Sequence, residues 1–178
     1  HEKRKSFWQN SIGTPMRVAL LSDTHSHIDA SWLKYFESCD EIWHAGDFGN
    51  IEVLDYLKEI KPVRAVWGNI DGHLLRAELP EVNIFEVEGM KVMMVHIGGY
   101  PGKYESRARR LIEFHRPGLF ICGHSHILRV IYDKKYEMLT MNPGAAGIHG
   151  FHKIKTLLRF SIIGGKIFDA EVVELGTK

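Results

Sequence analysis

Residues 16–71 read MRVALLSDTHSHIDASWLKYFESCDEIWHAGDFGNIEVLDYLKEIKPVRAVWGNID, and this stretch decides the fold. It contains three short apolar runs that have the length of buried strands: residues 18–21, 42–44 and 63–67. Two segments with helical spacing of apolar residues separate these runs, and Asn50 can cap the second segment. A chain that alternates strands and helices in this way predicts a parallel sheet.

The second half of the chain changes from this alternation to pairs of strands. Residues 84–88 and 91–95 predict a hairpin across Gly89. A helix is predicted over about residues 104–115, and five strand candidates follow it: 119–122, 128–133, 137–141, 156–163 and 166–173. We therefore expect an α/β fold, a four-layer α-β-β-α sandwich of two mixed sheets flanked by helices.

The composition is that of an ordinary globular protein with one core. The chain has 178 residues, of which 44% are apolar and 25% are charged, and its formal net charge is +1. We expect residues 16–178 to form a single domain, and polar residues 1–15 to be an N-terminal extension or a remnant of cloning. Because the charge is nearly balanced, no stable nucleic-acid complex is expected.

Apolar runs and cysteines set the expectations about compartment and assembly. No apolar run approaches the roughly 18 residues of a membrane helix, so no membrane partner is expected. Cys39 and Cys122 are too few for a disulfide framework, which favours core thiols and a reducing cytoplasm. The oligomeric state stays open, and a homo-oligomer is compatible with the sequence.

Side chains able to bind metal ions follow the ends of five predicted strands. Ligands of open α/β sheets bind beyond the carboxyl ends of the strands, so these side chains should meet. Seven positions qualify: Asp23, His25, Asp47, Asn69, His96, His124 and His126. Oxygen and imidazole donors without a thiolate suit Mn, Fe, Zn or Co. Seven donors exceed the needs of one tetrahedral ion but suit two ions that share a bridging carboxylate.

Each of these residues also has an ordinary structural interpretation when it is taken alone. Asp23 or Asp47 could be a helix cap or a loop residue, and Asn69 could belong to a turn. His124 and His126 could lie on one face of a strand. The occurrence of such residues at five strand ends favours metal binding over these alternatives.

Five motifs follow one another along the chain: Ser22-Asp23-Thr24-His25, Gly46-Asp47, Gly68-Asn69-Ile70-Asp71, His96 and Gly123-His124-Ser125-His126. In this order and spacing they resemble the calcineurin-like metallophosphoesterases. The segments His25-Ser26-His27, His44-Ala45-Gly46-Asp47-Phe48 and Asn142-Pro143-Gly144 are most similar to the small prokaryotic phosphodiesterases, to which the retromer subunit vacuolar sorting protein 29 is related. The resemblance spans about residues 16–173.

The resemblance implies a cofactor of two divalent metal ions, with Mn favoured and Ni, Zn, Fe or Mg as alternatives. It implies three ligands for each ion and one bridging carboxylate: Asp23, His25 and His126 for the first ion, Asn69, His96 and His124 for the second, and Asp47 as the bridge. The implied reaction is hydrolysis of a small phosphate ester, in the first instance a phosphodiester. A metal-bridging hydroxide would attack phosphorus in line.

The catalytic residues expected are Asp47, Asn69 and His96, which the resemblance places at the metals, together with His27. Many family members have a histidine directly after the asparagine, where this chain has Ile70, so the general acid is unassigned. His27 and His73 are candidates for phosphate contact or proton donation, and solvated loop histidines are the alternative.

Several other residues are expected to have supporting or purely structural roles. Asp71 should orient a ligand or a loop. His44 should pack in the core, whereas His149 and His152 belong to no motif and should be structural or exposed. The competing function is a non-catalytic protein-interaction scaffold on the same fold, which is disfavoured because all seven positions hold metal-competent residues.

Overall fold

The computed structural model describes residues 13–178, in which two five-stranded sheets and one short hairpin are connected by four helices. The strands are β1 (Met16–Leu21), β2 (Glu41–His44), β3 (Val63–Ala65), β4 (Val82–Val87), β5 (Met90–Val95), β6 (Gly99–Tyr100), β7 (Lys103–Tyr104), β8 (Leu119–Ile121), β9 (Leu128–Asp133), β10 (Met138–Pro143), β11 (Ile154–Ile163) and β12 (Lys166–Thr177). The helices are α1 (Leu33–Phe36), α2 (Ile51–Ile60), α3 (His73–Glu78) and α4 (Ser106–His115), and a 3-10 turn (Ala30–Trp32) leads into α1.

Each sheet contains three parallel strands. The first sheet has the order β12-β11-β1-β2-β3, in which β1, β2 and β3 are parallel and β11 and β12 are antiparallel to their neighbours. The second sheet has the order β4-β5-β8-β10-β9, in which β5, β8 and β10 are parallel and the two edge strands are antiparallel. The predicted pair of mixed sheets is confirmed.

Strand β1 is buried on both faces, which explains its unbroken apolar run. Val18 and Leu20 face the second sheet and pack in a cluster with Ile121. Ala19 and Leu21 face the other way, against the helices on the outer surface of the first sheet. Full burial of one such leucine contributes roughly 1.5–3 kcal/mol, so this strand is a main element of the core.

Helices cover the outer faces of both sheets. On the first sheet, Phe36 and Leu54 pack in the same outer cluster as Leu21. On the second sheet, Ile112 of α4 packs in a cluster with Phe120 of β8. Together with the core between the sheets, these clusters confirm the predicted four-layer α-β-β-α sandwich.

Helix α3 and the β6–β7 hairpin were not predicted. The sequence at Asp71-Gly72 is a strong turn signal, and α3 begins directly after it at His73, with Gly72 as an N-cap that has no side chain to accept a hydrogen bond. Only Leu75 of this short helix is buried. A single buried residue does not produce the repeated apolar spacing by which a helix is predicted from sequence. The β6–β7 hairpin has two residues in each strand, which is too short to show alternation.

The cysteines, the helix lengths and the N-terminal residues bear on the predicted compartment and domain limits. Cys39 and Cys122 are unpaired and buried, as expected for core thiols, and burial raises the pKa of Cys122 to about 12. Within residues 13–178, no helix combines the length and the hydropathy that a membrane crossing needs. The prediction for residues 1–15 falls mostly on residues 1–12, which lie outside the described residues.

Candidate metal centre

Loops that follow five of the six parallel strands bring the seven predicted ligands to one place. The loops after β1, β2 and β3 belong to the first sheet, and those after β5 and β8 belong to the second. They carry, in chain order, Asp23 and His25, Asp47, Asn69, His96, and His124 and His126. The site therefore lies where the carboxyl ends of parallel strands from both sheets meet, as expected for an α/β fold.

The side chains form two groups whose donor atoms lie within 4.8 Å of one another. In the first group, Oδ1 of Asp23 is 3.2 Å from Nε2 of His126 and 3.9 Å from Nε2 of His25. The second group consists of Asp47, His96 and His124. Oδ1 of Asn69 lies 3.1 Å from Nδ1 of His124, so the amide joins the second group.

Asp47 belongs to the second group and also faces the first. Its Oδ2 is 3.2 Å from Nε2 of His96 and 3.5 Å from Nε2 of His25, which belongs to the first group. Its Oδ1 accepts a hydrogen bond from the Ile70 N–H at 3.1 Å, which fixes the orientation of the carboxylate. A carboxylate in this position is able to bridge two ions.

Three buried polar atoms in this centre have no hydrogen-bond partner within the described residues: Oδ1 of Asp23, Nε2 of His25 and Nε2 of His96. The other Asp23 oxygen, Oδ2, accepts from Ser22 Oγ at 2.7 Å and from the His124 N–H at 3.1 Å. His96 donates its Nδ1 proton to the Ala45 carbonyl at 2.7 Å, so the Nε2 of the neutral ring is a lone pair. Imidazole nitrogens and carboxylate oxygens at these distances need a proton or a metal ion between them, and a divalent metal ion fits this donor set.

The electrostatics of the centre also favour added positive charge. Burial alone would raise the pKa of Asp23, but His126 and His25 hold it well below its usual range. Burial alone would lower the pKa of His96, but Asp47 and Asp23 raise it above its ordinary value. Both shifts have one cause, namely that two buried carboxylates attract protons or metal ions to the histidines around them.

Glycines precede three of the ligands because a side chain at those positions would collide with the centre. A Cβ at Gly68 would overlap the carboxylate and the backbone nitrogen of Asp47. A Cβ at Gly123 would overlap Ser22 Oγ, which donates to Asp23. The close packing of ligand loops therefore explains why the motifs contain glycine at these positions.

Five of the seven predicted ligands have left-handed backbone conformations. Their φ values are 55° for Asp23, 44° for His25, 59° for Asp47, 70° for His124 and 60° for His126. Non-glycine residues in this region cost on the order of 1–3 kcal/mol each, and such residues concentrate at functional sites. The fold thus maintains a strained arrangement of the ligand loops, which glycine at these positions would relieve.

Asp71 joins the loops that carry Asp47 and Asn69. It is buried, and its carboxylate accepts hydrogen bonds from four backbone N–H groups, those of Asp47 at 3.0 Å, Phe48 at 3.3 Å, Gly49 at 2.9 Å and Gly68 at 2.7 Å. Its side chain faces backbone rather than the two ligand groups. This contact pattern is that of a residue that orients the ligand loops.

His44 supports the same loop from within the core. The Gly46 N–H donates to Nδ1 of His44 at 3.1 Å, so the ring proton is on Nε2, which lies 3.0 Å from Thr24 Oγ1. The ring stacks on Phe48 with 3.6 Å between centroids. Burial lowers the pKa of His44 to about 3, so the ring is neutral, and the expectation of a packed core histidine is confirmed.

The structure does not bring His27 to the centre. Its Nε2 lies 3.7 Å from Oδ2 of Asp29, and its ring packs edge-on against Trp32 with 6.0 Å between centroids. His73 is the exposed first residue of α3. His27 makes none of the contacts described for the two ligand groups, and its catalytic role stays a prediction.

Two histidines without a motif lie beside the ligands. The ring of His149 is 4.8 Å from that of His25, and the ring of His152 is 5.3 Å from that of His126. Nε2 of His152 is 2.7 Å from the Gly147 carbonyl, which positions the ring. Both residues are in the loop after β10, the sixth parallel strand. They lie six and nine residues beyond Pro143, the last residue of β10, so the rule that takes the residues directly after a strand does not reach them.

The comparison with known proteins agrees with this architecture. Residues 16–164 match the sequence profile of the calcineurin-like phosphoesterase superfamily domain. The chain is 29% identical over 168 residues to a probable metallophosphoesterase of Methanothermobacter thermautotrophicus, and the match covers 90% of this chain and 94% of that relative.

Two solved structures illustrate the similarity of the fold. An archaeal phosphodiesterase has a TM-score of 0.71 at 21% identity, with 89% of this chain and 100% of that chain covered. Vps29 of Entamoeba histolytica in complex with zinc has a TM-score of 0.65 at 17% identity, with 89% and 99% covered. At these identities the likeness concerns the fold alone.

Proposed function

This chain belongs to the calcineurin-like phosphoesterase superfamily, and on that basis we propose that it hydrolyses phosphodiesters at a centre of two divalent metal ions. The observation that carries the proposal is the convergence of unpaired buried donor atoms from Asp23, His25 and His96 beside the Asp47 carboxylate. Buried polar groups without partners reduce stability, so this arrangement supports a centre that binds cations, and a scaffold without metal ions would not need it.

The ligand groups suggest how the ions would be distributed. Asp23, His25 and His126 would hold one ion, Asn69, His96 and His124 would hold the other, and Asp47 would contact both. When bound, the ions would supply an activated water for in-line attack on phosphorus and would offset the charge of the phosphate. Mn is the first candidate, because carboxylate, amide and imidazole donors suit it, and Ni, Zn, Fe and Mg are the alternatives.

Fixed side chains provide the rest of the proposed mechanism. Ala45 and Ile70 hold His96 and Asp47 through backbone hydrogen bonds, so these donors do not reorient when substrate binds. Two divalent ions would exceed the charge of the two aspartates by about +2, which attracts an anionic phosphate. The strained loops described above maintain this geometry before the reaction begins, which reduces reorganisation in the transition state.

The rim of the centre favours a diester over a monoester. Ile70, Ile97 and Ile127 each follow a predicted ligand directly in sequence, and their side chains are 45%, 41% and 50% exposed. Exposed apolar residues next to the ligands in sequence suit a second organic ester group better than the additional negative charge of a monoester. We therefore propose a small phosphodiester as the substrate.

Metal-dependent turnover tests this proposal. Protein freed of metal should hydrolyse bis(p-nitrophenyl) phosphate only after Mn, Ni, Zn, Fe or Mg is added, and it should hydrolyse p-nitrophenyl phosphate more slowly. His124→Ala should weaken metal binding or activity by about 10- to 100-fold, with partial recovery at high metal concentration, because a neutral ligand is lost. The matched control is His115→Ala at the end of α4, which should behave as the wild type.

The competing function is a protein-interaction scaffold. One observation favours the scaffold: in the loop after β10, Phe151 is fully exposed and Ile148 is 53% exposed. Exposed apolar side chains of this size often mark protein contacts. A folded protein that shows no turnover with any of these metals would support the scaffold and contradict the enzyme.

A further inference from the structure

A cavity of about 300 Å³ opens beside the second ligand group. Asn69 and His96 line part of it, so it adjoins the metal centre. Most of its wall is apolar and consists of Trp67, Val82, Val95, Ile97, Ala108 and Leu111. We call this cavity the ester pocket.

Four of the apolar residues that wall the ester pocket belong to regular elements, which fixes their positions. Val82 and Val95 are paired with each other in strands β4 and β5. Ala108 and Leu111 lie on α4, and Ala108 is buried in the cluster that packs this helix on the second sheet. A cavity framed by a strand pair and a packed helix is preformed, which is the usual property of a small-molecule site.

The charged residues at the ester pocket are already paired. Nη1 of Arg107 is 2.6 Å from Oε1 of Glu81, and Oε2 of Glu105 accepts the Ala108 N–H at 3.0 Å to cap α4. Because Arg107, Glu81 and Glu105 already have partners, they provide little electrostatic attraction for a second charged group on a ligand. An uncharged ligand moiety suits the ester pocket better than a charged one.

Trp67 gives the ester pocket an aromatic wall in a fixed position. The guanidinium carbon of Arg76 lies 4.0 Å from the centre of the Trp67 ring, and the same guanidinium donates to the Asp71 carbonyl at 2.6 Å. The indole is therefore held against α3 and against the loop that carries Asn69. A rigid aromatic surface beside aliphatic side chains favours a flat ring in stacked or edge-on contact.

We propose that the ester pocket binds one ester group of the substrate, and that it selects an uncharged aromatic ring attached directly to the phosphate. This inference rests on the proposed phosphodiesterase function, because the phosphate must lie at the metal centre for its ester group to reach past Asn69 and His96. The substrate class is then an aryl or similarly flat cyclic phosphodiester. The other ester group would lie on the open side of the centre.

Inhibition by phosphonates of defined shape tests the ester pocket. For the Mn-loaded enzyme hydrolysing bis(p-nitrophenyl) phosphate, phenylphosphonate should bind at least about 10-fold more tightly than methylphosphonate, because a ring is transferred from water into the ester pocket. Cyclohexylphosphonate, which is of similar size but not flat, should bind more weakly than the phenyl compound. Calorimetric titration of the same protein gives the affinities without turnover.

Two variants and one control assign the preference to this cavity. Leu111→Trp should fill the ester pocket and Trp67→Leu should remove its aromatic wall, so the preference for phenylphosphonate should fall to about 3-fold or less in each. Arg110→Trp adds the same side chain to an exposed position of α4 and should keep the wild-type preference. Thermal unfolding will show whether each variant folds. If one pocket variant does not fold, the other still tests the ester pocket.

The outcomes separate this inference from the proposed function. No turnover and no phosphonate binding by the wild type would overturn the phosphodiesterase and the ester pocket together. Turnover with equal affinity for methylphosphonate and phenylphosphonate, or a phenyl preference that both pocket variants retain, would overturn the ester pocket alone. Equal affinity for the cyclohexyl and phenyl compounds would overturn its selectivity for aromatic rings.

Discussion

Replacement of Asp47 with asparagine is expected to lower the rate of metal-dependent phosphodiester hydrolysis by at least about 10³-fold. The carboxylate belongs to the second ligand group and also faces the first, 3.2 Å from His96 and 3.5 Å from His25, and its negative charge is what two cations would share. Asparagine keeps the size of the side chain and can accept the hydrogen bond from Ile70 through its amide oxygen. The fold should therefore persist while the charge is lost.

The measurement is kcat/KM for bis(p-nitrophenyl) phosphate at saturating Mn, with circular dichroism and thermal unfolding to verify the fold. Asp55→Asn makes the same chemical change at an exposed position of α2 and should retain full activity. High Mn concentrations should not rescue the Asp47 variant, in contrast to His124→Ala. A folded Asp47→Asn protein with more than a tenth of the wild-type activity would contradict the bridging role.

Replacement of Asp71 with alanine should have the largest effect on stability, a loss of about 3–5 kcal/mol in the free energy of unfolding. The buried carboxylate accepts four backbone N–H groups, and alanine would leave all of them without their partner. Each orphaned buried donor costs about 1–3 kcal/mol, reduced where water enters the space. The loops that carry Asp47 and Asn69 should loosen, so activity should fall as well.

Urea-induced unfolding without added metal measures this effect without a contribution from bound ions. Asp71→Asn should lose less than the alanine variant, because its remaining oxygen still accepts some of these bonds. Asp55→Ala is the control at an exposed helical position and should change stability by less than about 0.5 kcal/mol. An Asp71→Ala protein that loses less than 1 kcal/mol would show that the four hydrogen bonds are not what holds the two loops together.

The sequence predicted most of the fold because its strongest patterns come from strands buried on both faces. The run from Val18 to Leu21 needs burial on both sides, and this requirement indicates a sheet covered by helices on one side and by a second sheet on the other. Helix α3 was missed because it is short, has no cap and buries only Leu75. Local patterns of that size do not differ from those of a polar loop.

The metal centre was predictable to the extent that the ligands directly follow strands. The seven positions from Asp23 to His126 converge because parallel strands of both sheets end at one place. The neighbourhood of His149 and His152 depends on the path of the loop after β10, which no motif indicates. The ester pocket lies between residues far apart in the chain, such as Trp67 and Leu111, so only packing reveals it.

Anomalous X-ray scattering from crystals of the Mn-loaded protein is the most direct test of the dinuclear centre. We expect two Mn peaks, one in contact with Asp23, His25 and His126, the other with Asn69, His96 and His124, and both in contact with Asp47. No peak among these residues, or a single ion with Asp47 directed away from it, would contradict the account.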